Sequence, residues 1–333
     1  MNPAASPSVQ KHALLWPHLK QCGDQCISYS VLQPELQYFF VQDIGFIAYQ
    51  QCRHGLFAPF GRTIVLGNPM CSEKHYRWIT MRFLEKYPKT IFLQVERNYG
   101  EVLQSLGHEV NCFGTETELT LDGFSLAGKA RSKLRQWQNG CQRKQVEVRE
   151  ENFSDVNLSA ITQLSDSWIK RRGGHELRFL TRPFLLHGER DVRLFTAYQG
   201  ESLLGFAVFD PMYREGEIIG YYHNVDRLAE NAPHGTSAYI ILKAMDIFRS
   251  EKKERVSLGL SPLFRLREPF THRKFTADAL WFTYHKLNFL YPFQGNASHK
   301  KKFNGQQKQV FFSSTQGNSL RELFIIIKAL RLF

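Results

Sequence analysis

The alternation of hydrophobic and polar positions in the first half of the chain predicts short strands separated by turns. Apolar runs at residues 36–49, 63–66 and 91–95 are typical of buried strands. Turn signals divide them at Gly55, Gly61 and Gly67-Asn68-Pro69. Between the last two runs, Tyr76, Ile79 and Phe83 have helical spacing, and we expect Ser72 to cap a helix that Tyr87-Pro88 ends. This half therefore has the strand–helix alternation of an α/β lobe.

The second half shows the same alternation of strands and helices. We predict helices at 158–171 and 237–250, with strands at 194–198, 203–209, 217–223 and 255–260. Hairpin spacing between the strands, followed by a helix after Gly235, resembles the acetyltransferase (GNAT) topology. No convincing sequence repeat relates the two halves.

These patterns predict two lobes and two flanking segments. We expect a flexible arm over residues 1–20, a first lobe over 21–155 and a second lobe over 156–333, with the acidic, polar stretch 151–159 at the junction. Residues 319–333 alternate apolar residues with Arg321, Lys328 and Arg331, which predicts a terminal helix. That helix either lies in a membrane interface or packs on the second lobe.

The size and net charge of the chain indicate which kinds of partner it can bind. With 333 residues and 43% apolar content, the chain can bury one large core or two ordinary ones. Its formal net charge of +12 favours a polyanionic partner, such as nucleic acid, an anionic membrane or a phosphorylated substrate. We expect no signal peptide and no membrane-spanning segment, since no apolar run approaches about 20 residues.

The six cysteines, all in the first half, fit the reduced thiols of a cytoplasmic protein better than a disulfide framework. Cys22, Cys26, Cys52 and His54 lack the paired C-x2-C spacing of a strong zinc site. We therefore predict no metal.

Four segments in order resemble the phosphatidylglycerol lysyltransferase C-terminal family. The first is LGNP at 66–69 with FSLAGKARSKLRQWQN at 124–139, and the second is LLGF at 203–206 with Asp210-Pro211. The third is NVDR at 224–227 with APHGT at 232–236. The fourth is SLGLSPL at 257–263, with FQG at 293–295 and KKKF at 300–303.

This resemblance implies a fold and a reaction. The fold is a tandem pair of acetyltransferase-like lobes, α/β (α+β) with mixed sheets flanked by helices and a tunnel between the lobes. The reaction moves an aminoacyl group from aminoacyl-tRNA to a hydroxyl of a phospholipid such as phosphatidylglycerol. It implies no organic cofactor and no stable protein partner, and a cytoplasmic enzyme at the inner face of the membrane.

The resemblance also assigns site residues. Lys300 and Arg227 match functional positions of the family and suit the stabilisation of a developing oxyanion. We expect substrate contacts from Lys302, Phe303, Gly235 and Gly295.

Two departures from the family pattern stand at Asn224, where the family has an acid, and at Ala297, where it has an arginine. An asparagine cannot act as a base, so Asp226 or His223 substitutes, the acid is unnecessary, or catalysis is lost. We expect Asp226 to lie too far along the strand to replace Asn224 directly, because alternate residues share a face only in a regular strand.

Histidines and basic residues supply further candidates. His223, His234 and His299 lie near the motifs and can relay protons, although a single histidine is more often structural. We predict that the segment 124–149 is mainly helical and that Lys129, Arg131 and Arg135 contact tRNA phosphates. The alternative is a solvated helix face.

Two competing functions stay open. An acyl-CoA-dependent N-acyltransferase is disfavoured because the pyrophosphate-binding loop R/Q-x-x-G-x-G/A is absent at 231–235. A non-catalytic tRNA- or lipid-binding module would keep the fold after losing the acid at position 224. The sequence does not specify the amino acid carried.

Overall fold

The computed structural model describes residues 7–54, 58–171, 179–185, 187–262, 264, 293–317, 321–322 and 325–326. The first half contains α1 (Pro7–Cys22), a 3-10 helix (Ser28–Leu32), β1 (Gln37–Val41), β2 (Gly45–His54), β3 (Ala58–Leu66), a second 3-10 helix (Glu73–His75), α2 (Tyr76–Lys86), β4 (Thr90–Val95), α3 (Arg97–Ser105) and β5 (Glu109–Thr120). The second half contains α4 (Ser132–Arg143), β6 (Val146–Glu151), α5 (Leu158–Arg171), β7 (Arg193–Gln199), β8 (Ser202–Arg214), β9 (Glu217–Leu228), α6 (Thr236–Ser250), β10 (Arg255–Pro262), α7 (Phe293–Lys301) and β11 (Gln306–Ser314).

The described strands form one continuous 11-stranded sheet in the order β1-β2-β3-β4-β11-β5-β10-β9-β8-β7-β6. Each half contains an antiparallel hairpin, a helix and a strand parallel to the second strand of the hairpin: β2-β3, α2 and β4, then β8-β9, α6 and β10. The predicted α/β class with a mixed sheet is confirmed. The halves are joined in the sheet because β5 pairs with β10, and because the last strand, β11, lies between β4 and β5 of the first half.

Helices cover both faces of the second half of the sheet. Phe195, Phe209 and Tyr221 pack under α6 on one face, with Phe248 of α6 among them. On the other face, apolar residues of β8 pack against Ile161 of α5. Burying each such side chain contributes about 1.5–3 kcal/mol.

Three predicted elements before residue 90 differ from the structure. The expected flexible arm is helix α1 from Pro7 onwards, because Leu15 and Leu19, one turn apart, are buried in the core. The apolar run 36–49 is divided between β1 and β2 by a turn at Asp43, whose φ is 59°. The Ser72 side chain makes no capping hydrogen bond, and a 3-10 turn begins α2 instead.

The basic segment 124–149 is only partly helical. It contains α4 and the start of β6, which pairs with β7. Gln145 has a φ of 56°, which ends the helical path. Before α4, Arg131 donates to Ser125 O at 2.6 Å and Arg135 donates to Gly128 O at 2.6 Å, which holds the preceding residues in a loop.

Most of the predicted terminal helix 319–333 lies outside the described residues, including Lys328 and Arg331. Within the described part, Glu322 forms a buried ion pair with Arg62 of β3 at 3.2 Å. Ile325 and Ile326 are buried in a core cluster that contains most buried apolar residues of the first half and also Met212 and Tyr213 of β8. The ion pair joins this segment to the first half, whereas one alternative expected it to pack on the second lobe. None of the described helices is long and apolar enough to cross a membrane.

Candidate active site

The parallel strands β9 and β10 separate near the centre of the sheet. They pair from Gly220 with Arg255 to Tyr222 with Ser257, after which β9 continues along β8 and β10 along β5. Gly259 lies at the separation with a φ of 72°, and a Cβ there would lie 2.4 Å from the Tyr222 ring. Glycine therefore allows β10 to bulge and the strands to diverge.

An equivalent opening in the first half is filled by the chain itself. β3 and β4 pair up to Leu66 and Leu93. Beyond that point, the Gln25 side chain donates to Gln94 O at 2.7 Å and accepts from Asn68 N at 3.1 Å. The opening between β9 and β10 is therefore the better candidate for a substrate site.

Lys300 projects from α7 toward β10. Its Nζ donates to Leu260 O at 2.7 Å. Burial lowers the pKa of Lys300 to about 7, although Cys26 and Glu116 nearby favour the charged form. A lysine with this pKa can gain and lose a proton at neutral pH, as a general base or acid does.

Two histidines accompany Lys300. Burial, with His299 and Lys300 nearby, lowers the pKa of His223 to about 3. Burial, with Lys300 and His234 nearby, lowers the pKa of His299 to about 4. Both imidazoles are therefore neutral at pH 7, and the Nε2 atom of each is buried without a hydrogen-bond partner among the described residues.

A bulge in β9 separates the predicted site residues onto different faces. Val208 pairs with Val225 but Phe209 pairs with His223, so Asn224 is the extra residue. The bulge brings His223 Nε2 to 3.7 Å from Asp226 Oδ2, and Asp226 accepts a hydrogen bond from Ser237 of α6. β9 is therefore irregular at Asn224, so Asn224 and Asp226 do not have the spacing of alternate residues in a regular strand.

Asn224 and Arg227 have contacts away from α6. Asn224 Nδ2 donates to Arg182 O at 3.4 Å, while its Oδ1 is buried without a partner among the described residues. Arg227 is buried, donates to Ser165 Oγ of α5 at 2.5 Å and lies 5.4 Å from the Trp168 ring. These contacts give Arg227 a packing role on the α5 face.

The predicted substrate-contact residues differ in how far they are exposed to solvent. Phe303 is fully buried in the core under α6. Gly235 has a φ of 98°, and a Cβ there would lie 2.4 Å from Trp137 Cβ, so it allows α4 and α6 to pack closely. Gly295 of α7 is exposed, and Lys302 is partly exposed just after that helix.

Contacts between side chains connect the basic surface near α4 to Lys300. Lys129 and Lys133 are exposed, and Lys133 Nζ lies 5.8 Å from the Trp137 ring. The Trp137 ring stacks on His299 at 5.9 Å, and His299 precedes Lys300. Arg131 also donates to Phe303 O at 3.0 Å, so Arg131 and Arg135 hold local structure.

Sequence reasoning missed three polar residues near Lys300. Gln94 of β4 donates to Glu116 Oε1 of β5 at 2.7 Å and to Cys26 Sγ at 3.7 Å. All three are buried. The available signal was a glutamate inside the strand sequence FGTETELT, a polar interruption that a central strand seldom tolerates without a partner.

Two observations concern the cysteines and possible metal ligands. All six cysteines are free thiols. Within the described ranges, no three His, Cys, Asp or Glu residues are grouped so as to hold a metal ion.

Comparison with known proteins gives consistent matches. The family model described as "Phosphatidylglycerol lysyltransferase, C-terminal" matches residues 17–312. A phosphatidylglycerol lysyltransferase of Bacillus subtilis (strain 168) is 25% identical over 282 residues, which cover 81% of this chain but 32% of that protein. The chain thus spans about a third of the length of this relative.

Two solved structures share the fold. L-PGS from Bacillus licheniformis has a TM-score of 0.75 at 21% identity, covering 96% of each chain. A C-terminal domain from Agrobacterium fabrum has a TM-score of 0.77 at 18% identity, covering 96% of this chain and 97% of that one. At these identities the likeness concerns the fold alone.

Proposed function

The chain belongs to the phosphatidylglycerol lysyltransferase C-terminal family, and from this premise we propose that it is an acyltransferase that moves an aminoacyl group from aminoacyl-tRNA to a hydroxyl of a phospholipid such as phosphatidylglycerol. The name of the family and of the Bacillus subtilis relative supports lipid aminoacylation in general. The observation that carries the proposal for this chain is Lys300, with a pKa near 7, at the opening between β9 and β10.

The reaction needs one proton-transfer group and oxyanion stabilisation. Neutral Lys300 accepts the proton of the lipid hydroxyl as that oxygen bonds to the ester carbonyl carbon. The carbonyl then reforms, the bond to the tRNA ribose oxygen breaks, and the Lys300 ammonium returns the proton to the leaving ribose oxygen. In between, this ammonium stabilises the oxyanion.

The donor approaches from the α4 side in this proposal. Lys129 and Lys133 are exposed there for contact with phosphates, and Trp137 and His299 connect this surface to Lys300. The net charge of +12 also favours the anionic inner face of a membrane, where the lipid acceptor is found. We place the reaction in the cytoplasm at that face, with no organic cofactor.

The direct test is incubation of the purified protein with a mixed pool of radiolabelled aminoacyl-tRNAs and a total lipid extract. Thin-layer separation of the organic phase then reveals any labelled lipid. Lys300→Ala is expected to abolish the label because it removes the proton acceptor. Lys301→Ala, an exposed neighbour on α7, is the matched control and should transfer normally.

The other outcomes distinguish the alternatives. Labelled lipid that persists in Lys300→Ala contradicts the assigned role. Absence of labelled lipid, with aminoacyl-tRNA still bound, contradicts lipid transfer and favours a soluble acceptor or a binding module. A product formed only when acyl-CoA replaces aminoacyl-tRNA would favour the N-acyltransferase alternative.

A further inference from the structure

Two large apolar side chains are exposed next to each other on helix α2. Trp78 and Met81 each expose 46% of their surface. They are neighbours because residues three apart lie on one face of a helix. The other face of α2 is already buried, with Ile79 and Phe83 packed in the hydrophobic core. Packing among the described residues therefore does not account for Trp78 and Met81.

The other helices that follow α2 along the chain have polar outer faces. The exposed residues of α3, α4, α5 and α6 are all polar or charged, as is usual for an amphipathic helix on a soluble protein. In the described part of the chain, the other large apolar side chains that are exposed are Leu14 of α1 and Phe40 of β1. The outer face of α2 therefore differs from those of α3 to α6.

Positive charge surrounds the same two side chains. Seven charged residues between positions 73 and 89 are exposed, and five of them are cations: Lys74, Arg77, Arg82, Lys86 and Lys89, with Glu73 and Glu85 as the carboxylates. Glu85 pairs with Arg82 at 3.1 Å, and Glu73 accepts a hydrogen bond from Asn98 Nδ2 at 2.7 Å. The carboxylates thus have donors within the protein, and the excess charge around α2 is positive.

An anionic lipid bilayer fits both properties of this face. Tryptophan is favoured at the boundary between lipid headgroups and acyl chains, where its ring is partly in an apolar environment. Lysine and arginine lay their methylene groups along apolar surface and keep their charges among the headgroups. The Arg82 guanidinium lies 5.9 Å from the centre of the Trp78 ring, so the two residues can reach this boundary together. A nucleic acid would match the cations but would leave Met81 in water.

We propose that the outer face of α2 docks the protein on an anionic membrane. Trp78 and Met81 enter the boundary between headgroups and acyl chains, and the surrounding cations contact lipid phosphates. This inference deepens the proposed function and rests on it for the choice of membrane, because the surface would bring the enzyme to the bilayer that contains its acceptor.

Sedimentation with lipid vesicles tests the surface without tRNA. The full chain is mixed with vesicles of pure phosphatidylcholine, or with vesicles of equal parts phosphatidylcholine and phosphatidylglycerol, and the bound fraction is measured. We expect binding to the vesicles that contain phosphatidylglycerol and much weaker binding to the neutral ones, since the cations need anionic headgroups.

Paired substitutions locate the binding. Trp78→Ser with Met81→Ser should weaken it by roughly 10-fold to 100-fold, because both apolar contacts are lost. Lys74→Gln with Lys86→Gln should weaken it by roughly 10-fold to 30-fold through loss of charge. Leu14→Ser with Phe40→Ser removes the other two exposed apolar side chains and is the matched control, which should bind normally. Circular dichroism verifies that each variant is folded.

Fluorescence separates insertion from simple attraction of charge. Lipids with brominated acyl chains quench a tryptophan that enters the bilayer. The chain has five tryptophans, so the quenching due to Trp78 is the part that disappears in Trp78→Phe, a variant that keeps an aromatic ring at this position. We expect quenching in the unmodified protein and a clear decrease in Trp78→Phe.

Four results would overturn the surface. These are vesicle binding by Trp78→Ser with Met81→Ser as tight as that of the unmodified protein, equal binding to neutral vesicles, quenching that is unchanged in Trp78→Phe, or loss of binding in the control pair instead. Weaker tRNA binding in the α2 variants, with vesicle binding unchanged, would assign this face to nucleic acid.

The outcome is separable from lipid transfer. Vesicle binding that depends on Trp78 and Met81, in a protein that transfers no label to lipid, keeps the surface and rejects the proposed reaction. Transfer to vesicle lipid at an unchanged rate in Trp78→Ser with Met81→Ser does the reverse. If both proposals hold, this variant transfers slowly to lipid in vesicles but normally to lipid dispersed in detergent micelles.

Discussion

Lys300 is a basic side chain held where its charge is disfavoured. Its pKa in the folded protein is about 7, against an ordinary value of 10.5. Between these values the unfolded chain binds a proton that the folded chain does not, so the free energy of unfolding rises with pH across this window. Below about pH 7 the destabilisation is complete. Such a cost is common where a residue serves function rather than stability.

We therefore expect Lys300→Met to stabilise the protein at pH 7 and below, with the gain disappearing toward pH 10.5. Thermal unfolding across this pH range measures the effect. Lys301→Met, which changes an exposed lysine on the same helix, should show no such pH dependence. An equal stabilisation at every pH would contradict a lysine whose charge is disfavoured in the folded protein.

Individual residues differed in how far the sequence could predict them. Lys300 was identifiable because it belongs to a motif with fixed spacing. Glu116 and Gln94 were not, because their partners come from other strands and their importance depends on a bulge in β4. Asn224 and Asp226 were identified from their place in a motif, but the faces on which they lie were not, because these are set by the pairing of β9 with β8.

At the scale of elements, the packing of α4 against α6 depends on Gly235. Gly235→Ala adds strain at a φ of 98° and a collision with Trp137 Cβ. We expect a loss of about 2–5 kcal/mol in the free energy of unfolding. Gly107 has a φ of 85° with no atom within 4 Å of a Cβ, so Gly107→Ala should lose only about 1–2 kcal/mol.

Urea unfolding of both variants separates the cost of the backbone strain from the cost of the collision with Trp137. Equal losses would mean that the collision is relieved and that Trp137 is not held by Gly235. Loss of the Trp137 position should also disturb His299, which stacks on the same ring.

A separate prediction concerns tRNA binding by the basic surface near α4. Lys129→Gln with Lys133→Gln should weaken tRNA binding and lower the slope of log affinity against log salt by about 2, since each lost phosphate contact changes it by about 1. Filter binding at several salt concentrations measures the slope. Lys74→Gln with Lys86→Gln removes the same charge from exposed positions beside and on α2 and should leave the slope unchanged.

Element positions were predictable where the pattern was local. The hairpin strands and helix α6 follow from spacing along the chain, and both were found. The segment 124–149 was predicted to be mainly helical, but only α4 within it is a helix. The loop before α4 instead depends on Arg131 and Arg135 bonding to backbone carbonyls, which no periodicity records.

At the scale of the whole molecule, the continuous sheet connects the halves through the pairing of β5 with β10 and through β11, which is inserted between β4 and β5. Its pairing with β4 and β5 encloses Glu116 and Gln94 between elements that are distant in sequence. The opening between β9 and β10 lies beside this group, and α7 brings Lys300 to it. The candidate site therefore depends on the joining of both halves.

The most direct test of this account is the rate of label transfer from aminoacyl-tRNA to lipid, measured in single turnovers between pH 6 and pH 9. A neutral Lys300 that accepts the hydroxyl proton predicts a rate that rises with pH, with a midpoint at about 7, and that is lost in Lys300→Ala. A rate that falls as pH rises through 7, or a rise that persists in Lys300→Ala, would contradict it.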